Sequence, residues 1–464
     1  MVFAYKVVSR RKCPLGKRDL YGLNAMDRLN INKHSTNIKY ICCLLAEMMP
    51  LKCLAKVYFN LKLYLIAEYL ALMNIFTVEV PNRILKPVYP RMTFDIMENK
   101  LQLLGLEWSQ RFRFQSKAQL VNLKVCFRLP DRIVHEGSVF NSEEVILIAL
   151  TRFEWPFVWD DMKERFPGRS RDELRRAFYW FLDFMIVNWG YLLVNNMPYW
   201  KDYLPHAAEA IRQKLMNLNY PTWRQFHPPA HEPNGFRVAL FIDNTMYAFC
   251  RPGGNTREGP ASPRVPLEVQ QAWWTGWKKL HGMKWQTCIL PNGMDFDIYG
   301  PESVRRNDLT TLDLSNIEAR LAELQANDPI KFKICGDSAY FDSDQICRVD
   351  GRGMSSVRES AEHSYCQGKD LWKYTDYKHV LQLYKQPIAK IIFVTLLLRN
   401  AYVTMNASQI SEYFLMAPPT LADWTFHGPK ARPLPSNCIF SPNYVRPHNF
   451  EDNDDVEDEE EDED

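Results

Sequence analysis

Two short apolar segments of this chain run directly into an aspartate. Residues 236–243 read Phe-Arg-Val-Ala-Leu-Phe-Ile-Asp, and residues 331–337 read Lys-Phe-Lys-Ile-Cys-Gly-Asp. Short apolar runs bounded by turn residues are typical of buried strands. If the two strands lie side by side, their carboxyl ends place Asp243 and Asp337 at one edge of the sheet. The pattern therefore predicts an α/β fold with acidic side chains at the end of its sheet.

A third acid lies on the helix predicted after the second strand. Apolar residues at 354, 357, 361, 365 and 372 fit one helical face. Glu362 lies on that helix, and Arg358 is its i,i+4 partner on the same face. Glu359 is an alternative third acid, but it lies roughly 60° round the helix from Glu362. We therefore expect Glu362 to join the two aspartates.

Three carboxylates that converge repel one another, and cations between them keep them ionised. Carboxylate oxygens suit Mg²⁺ or Mn²⁺. Two such ions about 3.5–4 Å apart can activate a water or a 3′-hydroxyl and stabilise the leaving oxygen of a phosphodiester. Asp243, Asp337 and Glu362 are therefore candidate catalytic residues and metal ligands. Solvated aspartates in turns produce the same spacing, so this pattern alone leaves both interpretations open.

The rest of the C-terminal region continues the α/β pattern. Further strands are predicted at 245–250 and 284–290, and helices at 315–324 and 380–402. The last helix is predicted to be kinked or split at Pro387, because proline cannot continue the helical hydrogen bonds.

Residues 92–200 are predicted to be helical. Asn141 with Glu144, and Ser170 with Glu173, have the spacing of capping boxes. The region can form a helix–turn–helix, in which Arg175 and Arg176 at the start of the last helix would contact DNA. An ordinary helical bundle with a solvated basic face is the more common arrangement for short helices that carry arginines.

Charge is distributed unevenly along the chain. The last fourteen residues, 451–464, carry twelve acids and no lysine or arginine, which leaves residues 1–450 with a net charge of +14. A basic body indicates an anionic partner such as DNA, for which the acidic tail can compete. The eleven cysteines contain no C-x-x-C pair, which fits a reducing compartment. No uninterrupted apolar run approaches the roughly 18–20 residues of a membrane span, so no membrane partner is expected.

Cations and tryptophans alternate in one segment. Lys278, Lys279, His281 and Lys284 lie within seven positions, interleaved with tryptophans. These cations can contact phosphates, and an exposed tryptophan can stack on a base. The alternative is that the tryptophans fill the core while the lysines extend outward along it.

Four motifs follow one another between residues 241 and 362. They are Phe-Ile-Asp-Asn-Thr at 241–245, Trp-Thr-Gly-Trp-Lys-Lys-Leu-His-Gly-Met-Lys-Trp-Gln at 274–286, Cys-Gly-Asp-Ser-Ala-Tyr at 335–340 and Arg-Glu-Ser-Ala-Glu at 358–362. Together they resemble the catalytic domain of Harbinger-type DDE transposases and of the DDE-superfamily endonucleases derived from them. The resemblance covers about 236–405. Asn307 departs from it, because a histidine is usual there, and the interval from Asp337 to Glu362 is short.

The resemblance implies an RNase H-like catalytic domain, with a mixed sheet flanked by helices, preceded by an all-α region. It implies a metal-dependent endonuclease that cleaves DNA at transposon ends, with strand transfer by the freed 3′-hydroxyl. Asp243 and Asp337 would bridge two metal ions, and Glu362 would complete one of them. From its position on the same helix face, Arg358 can orient Glu362 or hold a phosphate; the alternative is a surface ion pair. The family also implies nuclear action and a Myb/SANT-like DNA-binding partner, and it leaves oligomerisation open.

A rival hypothesis is a domesticated, catalytically inactive DNA-binding or scaffold protein derived from a transposase. Both hypotheses use the same predicted organisation. Its segments are an N-terminal extension (1–91), a helical region (92–200), a Pro-rich linker (201–235), the nuclease domain (236–415), a Pro-rich segment (416–450) and an acidic disordered tail (451–464).

Overall fold

A computed structural model describes most of the chain after residue 90. The described residues are 91–155, 157–194, 196–220, 236–252, 270–348, 351–376, 381–383, 385–428 and 438–441. The chain divides into two compact units, Met1–Tyr89 and Pro90–Asp464, and the described residues all belong to the second. The predicted N-terminal extension, much of the linker and the acidic tail lie outside the described residues.

Helices make up the first part of this unit. They are α1 (Phe94–Leu104), α2 (Trp108–Phe112), α3 (Lys117–Cys126), α4 (Ser142–Glu154), α5 (Trp159–Arg165), α6 (Arg171–Trp189), α7 (Tyr191–Val194), α8 (Met197–Trp200) and α9 (Leu204–Asn217). The prediction of helices in this region is confirmed, but the expectation of an all-α region is wrong, because a short β-hairpin lies at residues 133–140. Asn141 caps α4 through its side chain, and Ser170 forms a full capping box with Glu173 at α6.

One element of this region was not predicted. Strands β1 (Ile133–His135) and β2 (Ser138–Phe140) form an antiparallel hairpin between α3 and α4. Each strand has three residues, which is too short for an alternating pattern to be recognised in the sequence.

A mixed six-stranded sheet forms the second part. Its strands are β3 (Phe236–Phe249), β4 (Trp274–Thr275), β5 (Leu280–Ile289), β6 (Asp295–Ser303), β7 (Lys331–Gly336) and β8 (Ile346–Arg348). The order is β4-β5-β3-β7-β8, and β6 also pairs with β5. The pairs β4–β5, β5–β6 and β3–β5 are antiparallel, whereas β3–β7 and β7–β8 are parallel. The predicted α/β fold, with a mixed sheet flanked by helices, is confirmed.

The prediction of separate strands at 236–243 and 245–250 is wrong. Both segments belong to the single strand β3, in which Asp243 and Asn244 pair with Thr287 and Gln286 of β5. No glycine or proline interrupts the segment, so the antiparallel ladder with β5 continues past the acid.

Helices on the faces of the sheet complete the unit. They are α10 (Asp308–Ser315), α11 (Ile317–Leu324), α12 (Gly351–Leu371), α13 (Lys373–Asp376), α14 (Ile388–Asn406), α15 (Gln409–Phe414) and α16 (Leu421–Trp424). The helix predicted at 315–324 is α11, with α10 ending just before it. The helix predicted at 380–402 begins only after Pro387, which is its N-cap residue.

The helical region and the sheet share one hydrophobic core. The rings of Phe114 and Trp372 lie 6.2 Å apart, and α6 packs against α14. Helix α9 packs on β3, so residues 204–217 of the predicted linker belong to the folded core. Of the described helices, α14 is long and apolar enough to span a membrane, but 72% of its apolar stretch is buried inside the protein.

A fully buried ion pair fixes α14 to the sheet. Arg399 on α14 donates to Asp295 at the start of β6, with a distance of 3.1 Å, and to the carbonyl of Gly293. The neighbouring Asn400 accepts from the Asp295 amide at 2.9 Å and donates to its carbonyl at 3.0 Å. Buried charges are tolerated only when they are paired and hydrogen-bonded, so Arg399 and Asp295 depend on each other.

We expect Arg399→Leu to lower the free energy of unfolding by about 3–5 kcal/mol, because it leaves the Asp295 carboxylate buried without a partner. The double variant Arg399→Leu/Asp295→Asn should recover part of that loss. Urea denaturation followed by circular dichroism measures both. Lys373→Ala, which breaks the exposed pair with Asp370, is the control and should cost less than about 1 kcal/mol. Strictly additive losses in the double variant would contradict the interpretation.

Candidate functional site

Parallel pairing of two central strands brings the two aspartates together. Phe241 of β3 pairs with Cys335 of β7. Asp243 and Asp337 each lie two residues further along, so the register places them side by side where β7 ends. This is the juxtaposition that the two apolar runs predicted.

The residues around Asp337 explain the Gly-Asp-Ser-Ala-Tyr motif. A side chain at Gly336 would meet the Tyr340 ring, with a Cβ only 2.5 Å from it, so this position requires glycine. The Asp337 carboxylate accepts from the Ala339 amide at 2.9 Å. The Tyr340 hydroxyl accepts from the side chain of Asn244, the residue after Asp243, at 3.1 Å. The motif thus ties the end of β7 to β3 beside the two acids.

Helix α12 supplies the third acid and a cation. Arg358 donates to the Glu362 carboxylate at 2.9 Å, and its other terminal nitrogen lies 3.6 Å from the Asp243 carboxylate. Glu362 is exposed over 55% of its side chain, whereas Arg358 is largely covered. One guanidinium therefore bridges the first and third predicted acids, and the short interval after Asp337 is long enough for Glu362 to reach this site.

The site is electrostatically strained at Asp243. Burial raises the pKa of the Asp243 carboxyl to about 6, although the Asn244 amide and Arg358 act in the opposite direction. The negative charges of Asp337 and Glu362 raise this pKa further. Asp243 therefore lies within the electrostatic reach of both other acids, in a pocket that favours added positive charge.

Tyr365 and Thr287 hold the carboxylate-bearing elements in place, and the sequence analysis missed this role. The Tyr365 hydroxyl on α12 donates to the backbone carbonyl of Asp243, and it accepts from the hydroxyl of Thr287 on β5. Tyr365 was recognised only as part of the apolar stripe. A buried tyrosine in such a stripe needs a hydrogen-bond partner for its hydroxyl. This requirement is the sequence feature that could have indicated the role of Tyr365.

Two of the four cations predicted to contact DNA near residue 280 are buried instead. Lys284 forms an ion pair of 2.9 Å with Asp308 and donates to the Arg306 carbonyl. His281 is buried against the Trp274 ring, and burial lowers its pKa. Both lie on β5 inside the sheet, where a ladder position fixes which face a side chain occupies. Their assignment as DNA contacts is wrong for this conformation.

The other two cations lie at the tip of the turn before β5. Lys278 and Lys279 are exposed, and Trp277 beside them is 80% exposed. The Lys278 ammonium lies 4.4 Å from the centre of the Trp277 ring. Because Phe249 pairs with His281, this tip lies at the carboxyl end of β3, whereas Asp243 lies near the middle of that strand.

The arginines predicted to contact DNA at α6 already have partners. Arg176 pairs with Glu136 at 3.3 Å and donates to Ser138, while Arg175 lies 3.8 Å from Asp172 and remains half exposed. Arg176 therefore joins α6 to the β1–β2 hairpin. The Arg175 side chain is 46% exposed and that of Arg176 is 36% exposed, so Arg175 is the more accessible of the two.

Asn307 has a local structural role where the resembled family has histidine. Its side chain accepts from the Thr310 amide and caps α10. The next residue, Asp308, pairs with Lys284. The position at which the chain departs from the family is therefore a helix cap. Within the described part of the chain, Asn307 forms hydrogen bonds with Thr310 and Thr311 and with none of the three acids.

To hold a divalent cation, Asp243 and Glu362 would have to give up part of their pairing with Arg358. Within the described ranges, no three His, Cys, Asp or Glu side chains already converge as a metal-binding group. Arg358 contacts both Asp243 and Glu362. The donor set nevertheless fits Mg²⁺ or Mn²⁺ chemically, because it consists of hard oxygens in a partly buried pocket.

Comparison of the chain with family models, with curated proteins and with solved structures gives no match.

We expect Asp243→Asn to stabilise the protein at neutral pH when no divalent cation is present. A carboxyl whose pKa rises from 3.8 to about 6 on folding costs about 3 kcal/mol once it is ionised in both states. The amide avoids this cost. The gain should be largest above pH 7, fall to about half at pH 5 and vanish below about pH 3, where the carboxyl is neutral in both the folded and the unfolded state.

Urea denaturation in the presence of EDTA at several pH values measures this gain. Asp370→Asn is the matched control, because Asp370 lies on α12 in an exposed pair with Lys373. It should show little change at any pH. A pH-independent effect of Asp243→Asn would contradict a raised Asp243 pKa.

Proposed function

We propose that this protein is a metal-dependent DNA endonuclease of the DDE type, with the activity of a transposase or of an enzyme derived from one. The single observation that carries the proposal is the juxtaposition of Asp243 and Asp337 on adjacent parallel strands, with Glu362 linked to Asp243 through Arg358. The resemblance of the four sequence motifs supports the same function, since these acids lie within three of them.

The sheet supports an RNase H-like assignment. Counted along the chain, the main strands β3, β5, β6, β7 and β8 have the spatial order third, second, first, fourth, fifth. The first three are antiparallel, and the last two run parallel to the first. This mixed sheet, with one acid on β3 and the other directly after β7, is compatible with the RNase H-like domain that the motif resemblance implies.

The three acids have distinct roles in the proposed reaction. Asp243 and Asp337 would hold Mg²⁺ or Mn²⁺, and Glu362 would complete the coordination from the more exposed side. The bound ions would supply an activated water or 3′-hydroxyl and stabilise the leaving oxygen. Tyr365 and Tyr340 position the acids by fixing α12 and the end of β7 to β3. Arg358, when released from the carboxylates, is placed to hold the anionic scissile phosphate.

DNA would approach across the carboxyl end of β3. The exposed tip at Trp277, Lys278 and Lys279 offers two cations for the backbone and one ring for stacking. The net charge of +14 on residues 1–450 supports the same partner. A nuclear location and a Myb/SANT-like protein that recognises the transposon ends remain part of the proposal on the basis of the motif resemblance.

One observation favours the second candidate, a catalytically inactive DNA-binding or scaffold protein. Arg358 already pairs with Asp243 and Glu362, so a permanent guanidinium could take the place of a divalent cation. This candidate shares the DNA affinity of the first, but it predicts no metal-dependent cleavage.

We expect Asp337→Asn to reduce Mg²⁺- or Mn²⁺-dependent nicking of DNA by at least about a hundredfold, because metal-ion stabilisation of the transition state contributes several kcal/mol. Glu362→Gln should act in the same direction. DNA affinity should change little in either variant. Nicking of a supercoiled plasmid and fluorescence anisotropy with a labelled duplex measure the two quantities.

Glu359→Gln is the matched control for Glu362→Gln, since Glu359 lies on the same helix and is exposed. It should retain full nicking activity. Full activity of Asp337→Asn would exclude this site. Absence of metal-dependent nicking in the wild-type protein, together with DNA binding, would favour the inactive scaffold.

A further inference from the structure

Four cations gather around a single acid in the helical region, far along the chain from the proposed catalytic residues. Lys100 lies on α1, Arg111 on α2 and Arg113 immediately after it, while Arg165 ends α5. Glu154, the last residue of α4, lies among them. All five side chains are half-buried. No sequence pattern indicates this cluster, because its residues come from four separate elements.

The geometry of this basic cluster is compact. Arg111 and Arg113 approach opposite oxygens of Glu154, each at 3.6 Å. The guanidinium groups of Arg165 and Arg111 lie 3.9 and 5.4 Å from the centre of the Phe157 ring. The ring therefore holds two arginines close together, although their charges repel each other.

Lys100 and Arg165 form no direct ion pair with an acid among the described residues. The Lys100 ammonium donates to the backbone carbonyl of Arg165 at 3.3 Å. Glu154, Asp161 and Glu164 act on Arg165 from more than 4.0 Å away. The cluster itself thus has four positive charges against one negative charge.

The pKa values of two of these cations, Arg111 and Lys100, are lowered. Burial, followed by the charge of Arg165, lowers the pKa of Arg111 to about 10. Burial, followed by Arg111 and Arg165, lowers the pKa of Lys100. Half-buried cations that repel one another are stabilised by an added anion.

We propose that Lys100, Arg111, Arg113 and Arg165 form a phosphate-binding site. A phosphate group offers several oxygens to the planar forks of the arginines, which bind it bidentately, and a point contact to the lysine. Its charge would balance the excess that Glu154 leaves. The basic body of the chain makes a nucleic-acid backbone phosphate the favoured source, and free phosphate is the other. The site does not depend on the proposed catalytic activity.

Isothermal titration of the full-length protein with inorganic phosphate, in a chloride buffer of constant ionic strength, tests the site. Arg165→Gln should weaken phosphate binding by about tenfold or more, since it removes a charge-assisted hydrogen bond. Glu154→Gln should instead strengthen binding, because it removes the competing acid. A purely structural ion cluster predicts no gain in affinity for Glu154→Gln.

Two further variants keep the test decisive. Circular dichroism shows whether Arg165→Gln perturbs folding. If it does, Lys100→Gln provides an independent test and should also weaken phosphate binding. Arg212→Gln is the control, because Arg212 forms an ordinary exposed pair with Glu209 on α9. Equal phosphate affinity in wild type, Arg165→Gln and Lys100→Gln would overturn the proposal, as would absence of phosphate binding by the wild type.

Titration with duplex DNA over a range of salt concentrations distinguishes the two sources. If a DNA backbone phosphate occupies the site, Arg165→Gln should make the plot of log K for DNA binding against log salt concentration less steep. The magnitude of the slope should fall by about 0.9. Loss of phosphate binding with an unchanged slope would support the site and assign it to free phosphate. Asp337→Asn should retain phosphate affinity, so that a failure of the catalytic proposal is separable from a failure of this one.

Discussion

The parallel pairing of β3 with β7 is the constraint on which the rest of the candidate site depends. It aligns Phe241 with Cys335, so both strands deliver an aspartate to the same place. Strands that pair in parallel must be joined by a crossover, and here the intervening chain contributes β5, β6 and two helices before it returns. The central position of β3 in the sheet follows, with antiparallel strands on one side and parallel strands on the other.

This arrangement concentrates negative charge where solvent is partly excluded, and the protein compensates locally. Arg358 pairs with two of the three carboxylates, and the Asn244 amide donates to Asp243 at 2.7 Å. The compensation is incomplete, since the pKa of Asp243 is still raised to about 6. A protein that keeps an unfavourable buried charge typically uses it in function. Tyr340 and Tyr365 provide the rigid support that such a site requires.

The helical region has the opposite imbalance. Around Glu154, cations exceed acids. The proposed metal site and the proposed phosphate site would be complementary parts of a protein that acts on a polyanion. The helices and the sheet are not independent modules, because Phe114 of the helical region packs against Trp372, which follows α12, within one continuous core.

The sequence by itself determined the local features: the helices and their caps at Asn141 and Ser170, the apolar strands, and an acid at the end of β7, although it ended the first strand too early at Asp243. These features follow from periodicity and from hydrogen bonds between residues a few positions apart. Only the tertiary structure decided which charges are available. It buried Lys284 against Asp308 and left Lys278 exposed, although both are lysines in one short segment. It also joined Arg358 to Asp243 and assembled the basic cluster around Glu154. Burial and ion pairing depend on partners distant in the chain, and residue type and spacing carry no direct record of those partners.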